Sequence, residues 1–271
     1  PPACPRRYRV GMIDWQRADR PRRRIGRGVE AHLTIGSTND RARALLDARG
    51  GEGRAVVAEE QTDGRGRRGR TWYSPPRRNL MLSVAVRPRI HAADAWRLGM
   101  SVALAARTAC SATAPVELKW PNDIIARDGR KLAGVLIETT IDGGLLTDAV
   151  IGIGINVNWP RSEMPAEIAR DATSLAELAG SEVDRVELLG SLLDALDVEL
   201  VALEAGASPL ERYRAACLTL GTEVGVDTAD GRIEGTAIGI DEAGALVIET
   251  ATGPVALTSG EIVRLRAGAP A

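Results

Sequence analysis

The chain has no phenylalanine, and aromatic residues make up only 3% of its 271 positions, so its core must be built from Leu, Val, Ile and Ala. Lysine is nearly missing as well. Of 35 basic side chains, Lys119 and Lys131 are the only lysines, and the remainder are arginine. His32 and His91 stand alone, and no His, Cys and carboxylate set has the spacing of metal ligands, so no dedicated metal centre is expected. Ser-His-Asp hydrolysis finds no support either. Cys4, Cys110 and Cys217 are isolated, with neither disulfide nor metal spacing, which fits a reducing cytoplasm. No apolar run is long enough to span a bilayer, so no membrane association is expected. No charged stretch followed by an apolar one opens the chain, which argues against a secretory signal. A formal net charge of -1 gives no global pull toward nucleic acid or anionic lipid.

What is present is an ordinary globular composition, 44% hydrophobic and 26% charged, in a length that suits one large domain and a small one. Residues 1–28 are rich in Pro and Arg with little to bury, and read as a flexible basic arm. A solvated extension is the simpler reading of it, a nucleic-acid-binding tail the other. Order is expected from Val29, where residues 29–35 alternate like a strand. A helix follows, with Ser37 or Thr38 as its N-cap, and stops at Gly50-Gly51. Strands are expected at 55–58, 79–86, 116–119, 131–140 and 149–157, and a long buried helix between about 92 and 112. Residues 158–172, with Pro160 and Pro165, read as an irregular, mobile loop. Helices are expected at 173–179, 184–205 and 208–219. Beyond Gly221 the texture changes to short strands and Gly-rich turns, which suggests a small SH3-like β-barrel over 220–271. The fold class is therefore α+β: a catalytic domain at 29–219 around a central mixed sheet, then the barrel.

Three stretches carry chemistry. Both lysines flank the turn Pro121-Asn122-Asp123, in Lys119-Trp120-Pro121-Asn122-Asp123 and Lys131-Leu132-Ala133-Gly134. A flexible ammonium differs from the planar guanidinium used everywhere else, so this clustering points to a site. Gly64-Arg65-Gly66-Arg67-Arg68-Gly69 satisfies the G-x-G-x-x-G pattern, but Pro75 and Pro76 forbid the helix a dinucleotide fold needs next. What survives is a loop of guanidinium groups and free amides suited to an anionic, phosphate-bearing ligand. An Arg/Gly RNA-binding segment would have similar composition, though it would recur in a disordered tract. Trp72 and Tyr73 at the loop's end suit closure over a flat heterocycle. In Gly152-Ile153-Gly154-Ile155-Asn156 the glycines let a ligand or a backbone come close, and Asn156 suits an adenine edge. A β-bulge with a turn-forming Asn fits that stretch equally well.

Taken in order, Ser37-Thr38-Asn39, the Gly-Arg loop through Trp72, Lys119 to Asp123, Lys131 to Gly134 and Gly152 to Asn156 resemble the bacterial biotin–protein ligases, in the form lacking an N-terminal DNA-binding domain. The resemblance runs from about residue 30 to 266. It implies that biotin and MgATP give biotinyl-5′-AMP and pyrophosphate, and that biotin then passes to a lysine of a biotin carboxyl carrier protein domain of an acyl-CoA carboxylase. Matched by position, Ser37, Thr38, Asn39 and Gln61 hold the ureido end of biotin. Arg65, Gly66 and Arg67 form a loop that orders over biotin, and Gly134 joins the biotin site. Arg67, Arg70, Trp72, Lys119, Asp123 and Asn156 meet the nucleotide. Lys131 bridges carboxylate and α-phosphate and, with Arg67, is the catalytic residue. Lys119 and Asp123 are expected to pair, either to orient the turn or assist Mg²⁺, or as a structural ion pair. Residues 158–172 match an adenylate-binding loop in place only. No DNA binding is expected, because residues 1–28 are too short for a winged helix. The oligomeric state stays open between a monomer and a weak homodimer. A lipoate–protein ligase of the same superfold is the nearest alternative, and a basic RNA-binding module the alternative of another class.

Overall fold

The structure, a computed structural model, describes residues 13–48 and 50–266, with the backbone alone for 263–266. Strand β1 (Val29–His32) leads into helix α1 (Thr38–Leu46), and β2 (Ala55–Ala58) lies parallel beside β1. The chain then runs through β3 (Leu80–Val86), α2 (Ala95–Ser111), β4 (Val116–Lys119), β5 (Asp123–Ala126), β6 (Lys131–Asp142) and β7 (Leu145–Ile155). These strands form a seven-stranded sheet in the order β1-β2-β3-β7-β6-β5-β4, antiparallel at every pairing but the first. Helices α3 (Ala166–Ala169), α4 (Leu175–Ala179), α5 (Arg185–Glu204) and α6 (Leu210–Ala216) complete the larger domain.

Two-residue alternation decides which face of this sheet becomes the site. On β3 and β7, Leu80, Leu82, Val84, Ile151, Ile153 and Ile155 point into the main core, where α2 and α5 bring Val102, Ala106, Leu189, Leu193 and Leu196. The residues between them point the other way. There Val56, Ala85 and Val150 receive Ala42, Leu45 and Leu46 of α1. Farther along this second face the side chains shrink: Ser83 pairs with Gly152, and Gly134 with Gly154. A sheet covered at one end by α1 and bare at the other has a hollow built into its own alternation.

Beyond α6 come β8 (Glu223–Asp227), β9 (Arg232–Ile240), β10 (Leu246–Thr250), β11 (Gly253–Leu257) and β12 (Glu261–Arg266). They make an antiparallel five-stranded sheet in the order β11-β10-β9-β8-β12, the small barrel expected past Gly221.

Three expectations need correction. Residues 1–12 lie outside the described residues, but 13–28 are packed, so that part is no flexible arm. Trp15, Ala18 and Ile25 are buried, and the carboxylate of Asp197 on α5 accepts the backbone N–H groups of Arg23, Arg24 and Ile25. Arg20 and Arg22 pair with Glu187 and Asp194 on the same helix. The acidic partners lie more than 160 residues away, so local composition looked solvated. Second, residues 158–172 are not irregular throughout. They hold a helical turn at Arg161–Glu163 and α3, pack Trp159, Met164 and Ala172 together, and join β6 through Lys131 N–H to the Asp171 carbonyl. Third, Gly152 to Asn156 contains no bulge, because the register of β7 with β3 and with β6 runs unbroken there.

Candidate active site

The hollow on the second face is a cavity of about 270 Å³. Its floor is made by absent side chains. A Cβ on Gly154 would overlap the Trp72 indole, and one on Gly152 would overlap the Asn39 amide. Facing Gly154 across the strand pair, Gly134 lies under the same indole and beside Lys131. The indole thus rests on two bare backbone segments, with the Lys131 ammonium 5.6 Å from its ring centre. Trp72 Nε1 is buried and has no acceptor among the described residues, which leaves a donor free for a polar ligand.

At the inner end, β3 and the start of α1 build a buried polar cluster. Ser83 Oγ lies 2.6 Å from Asn39 Oδ1 and 2.7 Å from Thr38 Oγ1. Asn39 Oδ1 can only accept, and so can Gln61 Oε1, 2.9 Å from Thr38 Oγ1, so the two hydroxyl protons of Ser83 and Thr38 are shared among three contacts. Asn39 Nδ2 donates to Glu138 Oε2 at 2.9 Å, and Thr38 N–H donates to Gln61 Oε1 at 2.8 Å. Ser37 occupies the N-cap position of α1, but its side chain makes no capping bond. The expected capping role is therefore corrected: these side chains are held for the cavity and not for the helix end.

The cations divide by how they are neutralised. Arg65 makes a two-toothed pair with Asp40, at 2.9 and 2.5 Å. Arg70 pairs with Glu261 of the barrel. Lys131 Nζ lies 2.7 Å from Asp123 Oδ1, at ion-pair distance but without the alignment of a hydrogen bond. Arg67 and Lys119 differ. Arg67 is half-buried and donates to the amide oxygen of Asn122 at 3.1 Å, and Lys119 donates to the carbonyl of Ile262 at 2.8 Å. Among the described residues no carboxylate lies within ion-pair distance of either. Burial holds both groups below their ordinary pKa values, with Asp123 nearby opposing the shift. Two positive charges without an anion of their own, next to a third held loosely, make a receptor for negative charge.

Every site residue expected from the sequence lines this one cavity: Ser37, Thr38, Asn39, Gln61, Arg65, Gly66, Arg67, Arg70, Trp72, Lys119, Asp123, Lys131, Gly134 and Asn156. Two of their assignments change. Asp123 pairs with Lys131 and not with Lys119. Asn156 has both ends of its amide engaged, donating to the Thr173 carbonyl and accepting from Asn79 Nδ2. One N–H is left for a nucleotide edge, and its first task is to tie β7 to the segment before α4. Sequence reasoning missed Ser83, Asn79, Glu138, Asn122 and Glu261. A lone serine inside Leu-Met-Leu-Ser-Val-Ala-Val was a usable signal, because an unpaired hydroxyl in a buried strand is costly. Glu261 gave none, being brought in by the barrel. The 158–172 segment contributes Trp159 and Ile168 to the wall.

Residues 34–156 match the model of the biotin/lipoate A/B protein ligase family, and residues 219–265 match that of the biotin protein ligase C-terminal domain. The chain is 36% identical to the biotin–[acetyl-CoA-carboxylase] ligase of Mycobacterium tuberculosis over 251 residues, 89% of this chain and 90% of that protein. It is 32% identical to the bifunctional ligase/repressor BirA of Bacillus subtilis over 242 residues, 88% of this chain and 74% of that one. Among solved structures, the biotin protein ligase of Aquifex aeolicus in complex with biotin and ATP superposes with a TM-score of 0.71 at 33% identity, covering 89% of this chain and all of that one.

Proposed function

The chain belongs to the biotin protein ligase family, and from that premise we infer that it activates biotin with ATP to biotinyl-5′-AMP and transfers the biotinyl group to a lysine of a biotin carboxyl carrier protein. The observation that carries the reading is the charge arrangement: Arg67 and Lys119 without carboxylate partners, beside the Lys131–Asp123 pair, in one cavity.

A carboxylate is already ionised at neutral pH, so its attack on phosphorus needs no general base. Repulsion between two anions is the obstacle. The buried polar cluster of Ser83, Thr38, Asn39 and Gln61 takes the ureido end of biotin, which points its carboxylate toward Lys131. Lys131 leaves Asp123 for the incoming anions and, on a flexible stem, follows the oxygen that moves during displacement. Arg67 neutralises charge on the phosphate, and Trp72 and Arg70 meet the nucleotide. One carboxylate oxygen forms a bond to the α-phosphorus as the bond to pyrophosphate breaks. In the second step the neutral amine of the carrier lysine attacks the acyl carbon, AMP leaves, and the amine's proton is released.

Among the described residues no cluster of three His, Cys, Asp or Glu side chains holds a metal by itself. A Mg²⁺ arriving with ATP needs one or two protein carboxylates, and Asp123, whose buried Oδ1 has no aligned donor, fits. When bound, the ion neutralises phosphate charge. The carrier is the carboxyl carrier domain of an acyl-CoA carboxylase. Use of ATP and the buried free thiols of Cys110 and Cys217 support a cytoplasmic setting. The deciding assay is biotin-dependent exchange of labelled pyrophosphate into ATP, backed by calorimetry with biotin against lipoate. Exchange with biotin alone is expected. Lack of exchange, or a preference for lipoate, would overturn the assignment.

A further inference from the structure

Asp40 lies one residue past the Ser37-Thr38-Asn39 cluster but does not line the cavity, and its exposed carboxylate is one end of an arrangement that reaches across the whole site. The Gly-Arg segment is a small hairpin with its own rungs: Trp72 N–H donates to the Gly64 carbonyl at 2.8 Å, and Gly66 N–H to the Arg70 carbonyl at 2.7 Å. This hairpin is held from two sides. On one side the two terminal guanidinium nitrogens of Arg65 grip both carboxylate oxygens of Asp40. On the other, Arg70 pairs with Glu261, and Arg68 donates to the Asp227 carbonyl at 2.9 Å. The segment therefore crosses the cavity as a strap from the first turn of α1 to the barrel.

A mixed anhydride acylates any amine it meets and hydrolyses in water, so how long it stays under the strap decides the outcome. We propose that Asp40 is a positioning residue of the ligation: acting through Arg65, it keeps the strap closed over the adenylate until the carrier lysine arrives. The proposal rests on the ligase reading above. An exposed ion pair usually contributes little, but this one is two-toothed and, among the described residues, is the strap's only charged anchor within hydrogen-bond distance on the α1 side, with Asp63 and Glu138 at 3.6 and 3.9 Å. Its loss acts on opening, and so on escape of the intermediate, more than on the fold.

The test compares wild type, Asp40→Asn and Asp40→Glu with biotin, MgATP and a lysine-rich bystander protein. Two quantities are read together: pyrophosphate exchange, which counts adenylation, and biotin on the bystander, which counts escaped adenylate. The ratio of bystander labelling to exchange is expected to rise about fivefold in Asp40→Asn, the scale set by one ion pair. Asp40→Glu, which keeps the charge, should restore most of the wild-type ratio. An unchanged ratio in Asp40→Asn overturns the proposal, as does loss of exchange in that variant with its thermal unfolding intact, since Asp40 would then serve the chemistry. Absence of exchange in the wild type is a different result, and defeats the ligase reading itself.

Discussion

Single residues set the chemistry through what they lack as partners. Among the cavity's cations, Arg65, Arg70 and Lys131 each have a carboxylate, while Arg67, Arg68 and Lys119 meet only neutral oxygens among the described residues. Such an arrangement is unfavourable for the empty protein and becomes favourable when phosphate arrives, which is how a site gains selectivity for anions. Lys131 is the most sensitive position. Lys131→Ala should lower biotin-dependent exchange by ~100-fold or more, the scale of removing one group that meets developing charge. Its effect on folding should be about 1 kcal/mol, because the Lys131–Asp123 pair is partly solvated. Exchange and urea unfolding on the same preparation check both halves. Unfolding of the variant would mark the lysine as structural.

At the scale of elements, one face of β7 and β6 is a surface made by omission. Gly154→Val should leave the main core untouched, since Ile153 and Ile155 point away, but drive Trp72 off the floor. Retention of the biotinyl adenylate is expected to fall about tenfold or more, the free energy of a displaced, overpacked side chain. Calorimetry with unfolding as control measures it. The far side of the same sheet depends on a buried ion pair. Arg185 on α5 donates at 2.8 Å to Glu59, which follows β2, and at 2.9 Å to the Asn79 carbonyl just before β3, and its guanidinium lies over Trp15. Arg185→Met should destabilise the protein by roughly 3 kcal/mol, because Glu59 is left buried and less well compensated. Trp15 Nε1 remains its donor, and the buried Asn79 carbonyl loses the hydrogen bond from Arg185. The urea midpoint reads this, and a shift of a few tenths of a kilocalorie would contradict it.

For the whole molecule, the scarcity of lysine has a consequence that depends on where the two lysines sit. Both ε-amines lie in the cavity, Lys119 on the Ile262 carbonyl and Lys131 beside Asp123. Prolonged incubation with biotin and MgATP without carrier should therefore leave only trace lysine labelling on the enzyme. What label does form should gather at Lys119, whose ammonium form burial disfavours. Intact-mass and peptide spectrometry check this, and heavy labelling elsewhere in the chain would contradict it. Most of this protein was legible as text. Alternation at 29–35, the apolar run at 79–86, helical spacing, and the Gly-rich turns after 220 located the elements, because such patterns are local properties. The motifs likewise named the cavity's lining, since each lies on one short stretch. Only the tertiary structure decided which charge meets which. Asp123 goes to Lys131, Glu261 reaches Arg70 from another domain, and the arginines of 20–24 find the acidic face of α5. Ion pairing depends on distance in space, and a linear pattern carries no record of which segments the sheet brings together.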